Sequence, residues 1–192
     1  MDKNYRYGFK AETEDYAKEF RKELGLAPHS PLCPWKLAKL LEIPVEPLSS
    51  YGDRIPDAVM HCTEKEQNIF SAVTICDHYR RLIIHNDSHA PNRQAANIAH
   101  ELSHGILGHI PTPVFDEYGN RQFNAQDEDE ANWFGPVLLV PKDAAFHILK
   151  NEISVEKASE IYGASKQLIQ MRVNVSGARK VIARSKSKAS SS

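Results

Sequence analysis

The sequence predicts an α+β fold in which a small antiparallel sheet packs against a helical bundle. Two observations predict this class. Runs rich in Val, Ile, Phe and Thr, which favour strands, are concentrated in residues 45–86. Apolar residues at helical spacing lie on both sides of that region. A chain of 192 residues, with 41% apolar and 26% charged residues, suits one domain with a sizeable core.

Two helices are predicted before the sheet. The first covers 10–24, where large apolar side chains recur at every fourth residue, and Gly25 is a plausible end. The second covers 35–41, because Pro34 suits the start of a helix and Pro44 lies beyond its end.

The sheet is predicted from the region that follows. Residues 68–76 and 81–84 form two short runs typical of strands, and the stretch Asp77-His78-Tyr79 between them suits a hairpin turn. The hairpin lies immediately before the next predicted helix. Three histidines of this region are expected at turns or on the surface, namely His78, His85 and His89.

The helix after the sheet carries the pattern H-E-x-x-H, formed by His100, Glu101 and His104. On a helix of about 3.6 residues per turn the two histidines lie roughly 40° apart, so both rings can bind one metal ion from the same side. Glu101 lies about 60° round the helix from His104, close enough to take a proton from a water at the metal. The pattern is typical of zinc hydrolases.

The residues around the pattern favour a buried helix. Positions 95, 98, 99, 102 and 106 are apolar and form one stripe, and Pro91 suits the first turn. Unpaired His and Glu side chains would be costly on such a helix. A short motif can also arise by chance, on the order of a few per cent for a chain of this length. A solvated or internally satisfied histidine pair is therefore the alternative.

A third ligand has to come from elsewhere in the chain. The extended pattern H-E-x-x-H-x-x-G-x-x-H fails, because Leu107 and Ile110 occupy its last two positions. Gly108 and His109 are displaced by one residue, which is about 100° on a helix. The other standard solution is a glutamate from a later helix, which leaves one position open for water.

The acidic segment 127–130 supplies the candidates for that glutamate. Glu128 is the predicted ligand, and Asn132, on the same helical face, could hydrogen-bond a histidine ring from outside the ligand set. Glu130 is the alternative third ligand. Acidic residues also commonly open a helix, where carboxylates favour the positive end of the dipole. The presence of the two histidines favours the ligand interpretation.

The motif HELSH and the later segment EDEANWFGPVLLVP resemble the ImmA/IrrE family of metallopeptidases. That family carries H-E-x-x-H and then E-x-E-A-[ND]-x-F running into L-L-x-P. The resemblance covers roughly 30–175 and includes the segments 34–45 and 84–94. The chain departs from it at Asn132, where many relatives have Asp, and at Gly135, where Ala is usual.

The residues and the resemblance together imply a metallo-endopeptidase with Glu101 as catalytic base. One Zn²⁺ per chain would be held by His100, His104 and Glu128, and another divalent ion such as Mn²⁺ is the alternative. The resemblance further implies a protein substrate, a cognate helix-turn-helix repressor in a phage, mobile-element or stress-response switch. By analogy with zinc peptidases, an exposed sheet edge beside the metal helix would hold the substrate by strand addition.

Charge and composition argue against other classes and indicate a compartment. The net charge of −1 implies no overall affinity for nucleic acid or membranes. No apolar segment typical of a signal peptide or a membrane span is visible. Cys33, Cys62 and Cys76 are odd in number and lack C-x-x-C spacing, which fits free thiols in a reducing compartment. We therefore expect the protein in the cytoplasm.

The C-terminal part predicts a helical pair near 153–175 and a disordered tail over 184–192, so that 1–183 form a single domain. DNA contact is one interpretation of the basic residues here, but we favour a pair that covers the core, without direct nucleic-acid binding. From 161 onwards there are seven basic and no acidic residues, at 166, 172, 179, 180, 184, 186 and 188.

The alternative function is a non-proteolytic regulatory module, whose structural metal site serves the binding of a repressor or of DNA. Glu101 distinguishes the two functions. A structural site has no need of a carboxylate beside its ligands, whereas hydrolysis needs a base. The presence of Glu101 favours the enzyme.

Overall fold

The computed structural model describes residues 5–65, 69–77, 80–109 and 124–189, with 185–189 by backbone alone. Helices predominate in it and a three-stranded sheet accompanies them, so the predicted α+β class is confirmed. Two helices lie close to their predicted bounds. They are α1 (Phe9–Glu23) and α2 (Pro34–Leu40), and strand β1 (Val45–Pro47) follows them.

Short helical pieces occupy most of residues 48–65, so the prediction of strands throughout 45–86 was wrong there. Pro56 occupies the first turn of the α-helical piece, where its missing N–H removes no hydrogen bond. The local preference of proline for the first turn of a helix therefore outweighs the strand preference of the apolar residues in this segment. The pieces are a 3-10 turn (Leu48–Tyr51), helix α3 (Pro56–Met60) and a π-helical turn (His61–Lys65).

The sheet is mixed, which corrects the prediction of an antiparallel sheet. Strand β3 (Arg80–His85) lies in the centre, antiparallel to β2 (Ala72–Asp77) and parallel to β1, where Val45 pairs with Ile83. The chain runs through 48–65 and then β2 before it reaches β3. This connection brings β3 beside β1 in the same direction. The predicted turn at 77–79 falls largely on residues outside the described part.

The remaining helices follow the sheet, and the predicted metal helix is confirmed as a helix with Pro91 in its first turn. The predicted helical pair is also present, and a glycine in the left-handed conformation, Gly163, separates its two members. A polar loop is expected from the prolines and glycine of residues 111–123, but these residues lie outside the described part. The helices are α4 (Pro91–Ile106), α5 (Ala125–Leu139), α6 (Lys142–Lys150), α7 (Val155–Tyr162), α8 (Lys166–Val175) and α9 (Ala178–Ala189).

Helices α4 and α5 pack against each other along the core. Ile98 and Leu102 of α4 and Phe134 of α5 are fully buried in one apolar cluster. Gly135 lies directly against the backbone of α4, since a Cβ placed there would be 3.1 Å from the amide nitrogen of His100. The absence of a side chain at Gly135 therefore allows the two helices to approach closely at the level of the H-E-x-x-H motif.

Two buried arginines hold the C-terminal end of α5. Arg21 of α1 donates to the carbonyl of Leu138 at 2.8 Å, and Arg172 of α8 donates to the carbonyl of Val140 at 2.8 Å. Carbonyls at the end of a helix lack helical partners, so these donors satisfy them. Arg172 also pairs with Glu14 of α1. Burial lowers the pKa of Arg21 to about 10, which leaves it charged at neutral pH.

The last described part of the chain is a helix. Helix α9 extends to Ala189, into the stretch 184–192 that was expected to form a disordered tail. The division into one domain over 1–183 and a tail stays a prediction. Of the seven basic residues, Arg172 is buried and engaged with α1 and α5. Within the described residues, none of the helices has the length and apolar character needed to cross a bilayer.

Candidate metal centre

His100, His104 and Glu128 come together between α4 and α5. The Nε2 atoms of the two histidines are 3.1 Å apart. Oxygens of the Glu128 carboxylate lie 3.4 Å from Nε2 of His100 and 3.5 Å from Nε2 of His104. Glu128 is placed by the first turn of α5, which Asn124 caps by accepting a hydrogen bond from the amide of Gln126.

These separations match the edges of a small coordination tetrahedron. Zinc bonds of about 2.0–2.1 Å in tetrahedral geometry place neighbouring ligand atoms about 3.3–3.4 Å apart. The three separations of 3.1, 3.4 and 3.5 Å lie close to that value. Among the described residues, these three form the group of metal-binding side chains with ligand atoms within 4.8 Å of one another. The donors therefore fit one divalent ion with a position left open.

The protonation of His104 suits metal binding. Burial, followed by the neighbouring His100, lowers the pKa of His104 to about 4. The ring is therefore neutral at neutral pH, and a neutral imidazole keeps a lone pair for a metal. Glu128 acts in the opposite direction on this pKa, but its effect is smaller than that of burial.

Glu101 lies beside the three donors and is held by the sheet. The hydroxyl of Thr74, on strand β2, donates a hydrogen bond to Oε2 of Glu101 at 2.6 Å. Burial raises the pKa of Glu101 above its ordinary value, and the hydrogen bond from Thr74 opposes this change. A carboxylate with a raised pKa accepts a proton from water more readily than an exposed one does. The arrangement can therefore supply a general base.

His109 enters the site because α4 ends in a left-handed turn. Gly108 has a φ of +71°, and the amide of His109 donates to the carbonyl of His104 at 3.0 Å. The amide of Gly108 donates to the carbonyl of Gly105 at 3.2 Å. This is the Schellman arrangement, which turns the chain back over the last helical turn. Nδ1 of His109 consequently lies 2.9 Å from Nδ1 of His104.

Sequence reasoning missed His109 and Thr74. The rotation of about 100° per residue that separated His109 from the motif applies only inside a helix, and α4 ends at Ile106. The indication that could have found His109 was Gly108, because glycine just after a helix typically adopts the left-handed conformation. Thr74 carried no comparable indication, since its contact depends on how β2 packs against α4.

Glu130 and Asn132 lie outside the group of three donors. Glu130 is 7% exposed, and its Oε2 is 3.2 Å from Nε2 of His109. Asn132 is exposed, and its side chain makes no hydrogen bond with another described residue. The structure therefore favours Glu128 over Glu130 as third donor and does not bring Asn132 to a histidine ring. The catalytic and ligand roles themselves stay predictions.

Two histidines close to the sheet, His85 and His89, are buried. His85 is 5% exposed and lies in β3, so the expectation of a turn or surface position was wrong for it. His89 is 7% exposed, but it lies in the turn at 87–89, as expected. His85 packs edge-on against Trp35, and the carbonyl of His89 accepts a hydrogen bond from Gln94. Neither belongs to the group of three donors. His78 lies outside the described residues.

An α+β fold with two histidines on one helix, a carboxylate from a second helix and a partly buried carboxyl beside them is typical of metal-dependent hydrolases of the H-E-x-x-H type. The model of one family, the IrrE N-terminal-like domain (Peptidase_M78), matches residues 62–174, and the chain belongs to this family. The match includes both helices of the metal centre. Family membership indicates a metallopeptidase-type function, with a divalent metal and a protein substrate. Neither curated proteins nor solved structures give a match.

Proposed function

We propose that the protein is a zinc-dependent metallo-endopeptidase. His100, His104 and Glu128 would hold the ion, and Glu101 would act as the general base. The observation that carries the proposal is the close grouping of three metal donors, with the partly buried carboxyl of Glu101 on the helix that carries the two histidines. Zn²⁺ suits two imidazoles and one carboxylate with an open position, and Mn²⁺ is the alternative ion.

The chemistry divides between the metal and Glu101. A bound divalent ion polarises the scissile carbonyl and lowers the pKa of a water molecule. Glu101 accepts the proton of the attacking water and then transfers it to the nitrogen of the leaving amine. Thr74 keeps the Glu101 carboxylate in one orientation throughout, because its hydroxyl donates to Oε2. A purely structural metal site would need neither the Glu101 carboxyl nor its hydrogen bond from Thr74.

The geometry of the sheet supports binding of an extended peptide. Strand β2 is an edge strand, and in the described part of the chain it pairs on one side only, with β3. Thr74 lies in the middle of β2 and contacts Glu101, so this strand runs beside the metal centre. An edge strand offers free backbone groups to an extended segment. A substrate paired with β2 would therefore pass close to the base.

We further propose that the substrate is a helix-turn-helix repressor in the bacterial cytoplasm, in a phage, mobile-element or stress-response switch. The support for this part is the likeness of the chain to the ImmA/IrrE peptidases. The three cysteines are all unpaired, which is compatible with a reducing compartment.

The first prediction is that Glu101→Gln abolishes proteolysis while the metal stays bound. The amide keeps the size of the side chain but cannot act as a base. Because a positioned acid–base group contributes about 10²–10⁴-fold, peptide cleavage should fall by at least that factor. The substrates are a mixed-sequence peptide library, read out by mass spectrometry, and any helix-turn-helix repressor encoded next to this gene. Metal content, measured by mass spectrometry of the purified protein, should stay at about one ion per chain.

Glu160→Gln is the matched control, since Glu160 is an exposed residue of α7 that pairs with Lys157. It should leave both cleavage and metal content unchanged. Wild-type protein that binds a metal and the repressor but cuts neither substrate would contradict the peptidase and favour a regulatory binding module.

A further inference from the structure

A chain of three side chains leads away from the metal centre. Nδ1 of His104 lies 2.9 Å from Nδ1 of His109, and Nε2 of His109 lies 3.2 Å from Oε2 of Glu130. The side chains of His109 and Glu130 are 8% and 9% exposed. The three groups thus form a continuous hydrogen-bonded path within the protein.

The direction of each hydrogen bond follows from the chemistry of a neutral imidazole, which has one N–H and one lone pair. His104 faces His100 and Glu128 through Nε2. If that atom gives its lone pair to a metal, the proton of His104 must be on Nδ1. Nδ1 then donates to Nδ1 of His109, so the proton of His109 must be on Nε2. That atom in turn donates to the carboxylate of Glu130.

We propose that His109 is a positioning residue for the metal centre, which together with Glu130 holds His104 in the orientation and tautomer that bind the ion. The inference rests on the proposed metal site. Hydrogen bonding of the second ring nitrogen to a carboxylate or carbonyl orients metal-binding histidines and makes them better donors. Here a second histidine would transmit the effect of the carboxylate. Neither His109 nor Glu130 touches the ion or the substrate.

The surroundings of Glu130 and His109 support this arrangement. Gln126, one turn earlier on α5, donates to Oε1 of Glu130 at 3.5 Å, which leaves Oε2 for His109. Asp127 lies 3.9 Å from Nε2 of His109, so a second carboxylate faces the same ring atom. Both acids favour a proton on Nε2 of His109. Nδ1 is then left as an acceptor towards His104.

The test measures zinc affinity by competition with a chromophoric chelator. His109→Phe keeps an aromatic ring but removes the acceptor, and zinc affinity should fall about 10–100-fold. His109→Asn places an amide oxygen where Nδ1 was and should keep most of the affinity. Glu130→Gln keeps an acceptor oxygen without the charge and should fall between wild type and His109→Phe. His147→Phe, which replaces a histidine that stacks on His29, is the control and should bind like wild type.

A second measurement reads the tautomers directly. In zinc-loaded protein with ¹⁵N-labelled histidine, long-range ¹H–¹⁵N correlation spectra should show the His104 proton on Nδ1 and the His109 proton on Nε2. A purely structural role for His109 would not require this combination of tautomers in His104 and His109. A His109 ring with its proton on Nδ1, or protonated on both nitrogens, would overturn the inference.

The results separate this inference from the proposed function. Wild-type protein without zinc affinity would overturn both. Wild-type affinity in His109→Phe would overturn only the positioning role. Complete loss of binding in both His109 variants, with folded protein by circular dichroism, would make His109 a ligand and would also overturn it. If His109→Phe fails to fold, the other two variants decide the question. We expect His109→Asn to bind zinc more tightly than Glu130→Gln does. Equal losses of zinc affinity in these two variants would contradict an acceptor role for His109.

Discussion

Thr74 connects the sheet to the reactive part of α4. Its hydroxyl donates to Glu101 over 2.6 Å, whereas its backbone belongs to the edge strand β2, opposite Ile83 of β3. A hydrogen bond to a charged group contributes about 1.5–3 kcal/mol. The position of Glu101, which we propose as the base, therefore depends on one side chain from the strand that we propose as the substrate-binding edge.

The prediction at this scale is that Thr74→Val lowers the cleavage rate about tenfold or more. Valine keeps the branched shape suited to a strand but removes the donor, and 1.36 kcal/mol corresponds to a factor of ten. Thr74→Ser keeps the hydroxyl and is the control, with a rate close to wild type. Turnover of the peptide substrate at saturation, with metal content measured in parallel, checks this. Equal cleavage rates in Thr74→Val and wild type would show that Thr74 does not contribute to the mechanism.

At the residue scale, the sequence was informative where the site lies within one helix. His100, Glu101 and His104 could be placed from helical spacing alone, because α4 is regular through Ile106. Glu128 needed the packing of a second helix, which spacing cannot supply. His109 and Thr74 depended on a turn and on a strand contact. The periodicity of apolar residues along the chain gives no information about the turn or about the strand contact.

The C-terminal end of α4 is the element on which the site most depends. Gly105 lies within the helix, where a Cβ would be 3.7 Å from Cδ of Arg81, an ordinary van der Waals contact. Gly108 lies just after the helix with a φ of +71°. Gly105 thus has room for a side chain in a helical conformation, whereas Gly108 has a backbone conformation that disfavours one. Alanine substitutions at the two positions should therefore change the free energy of unfolding in opposite directions.

We expect Gly105→Ala to stabilise the fold by about 0.5–1 kcal/mol, because alanine loses less backbone entropy in a helix than glycine does. Gly108→Ala should destabilise it by about 1–2 kcal/mol, because a side chain disfavours the left-handed conformation. Urea denaturation of the metal-free variants measures both free energies of unfolding. The same sign for both substitutions would contradict the helix end described above.

Helices were more predictable than the sheet for a physical reason. Helices α1, α2 and α4 have apolar spacing or a proline at the start, both local features of the sequence. The segment 48–65 was expected to form strands, yet it forms short helical pieces that follow Pro47 and begin at Pro56. The parallel pairing of β1 with β3 joins residues distant in sequence. No short-range pattern specifies such a pairing.

At the scale of the whole molecule, α5 is held at its C-terminal end by distant parts of the chain. Its first turn supplies Glu128, and its last carbonyls accept hydrogen bonds from Arg21 of α1 and Arg172 of α8. Arg172 also joins α8 to Glu14 of α1. The N-terminal and C-terminal helices therefore stabilise the position of a helix that carries one metal donor.

We expect Arg172→Met to lower the free energy of unfolding by about 2–4 kcal/mol. Removal of one partner of a buried ion pair leaves the other charge unpaired, and the loss is moderated here because the side chain of Glu14 is 23% exposed. Arg179→Met, on the exposed side of α9, is the control and should stay within about 0.5 kcal/mol of wild type. Chemical denaturation measures both, and equal stability of the two variants would contradict the role of Arg172.

The edge position of β2 has a consequence for the choice of target. A strand edge pairs only with backbone that is already extended, so the repressor that we propose as substrate would have to open locally before it could be cut. A segment that opens at a cost of about 3 kcal/mol is accessible in roughly one molecule in 150. Turnover would then depend on the local opening equilibrium of the repressor as much as on the peptidase. Any factor that loosens the repressor would act as an inducer without contacting the enzyme.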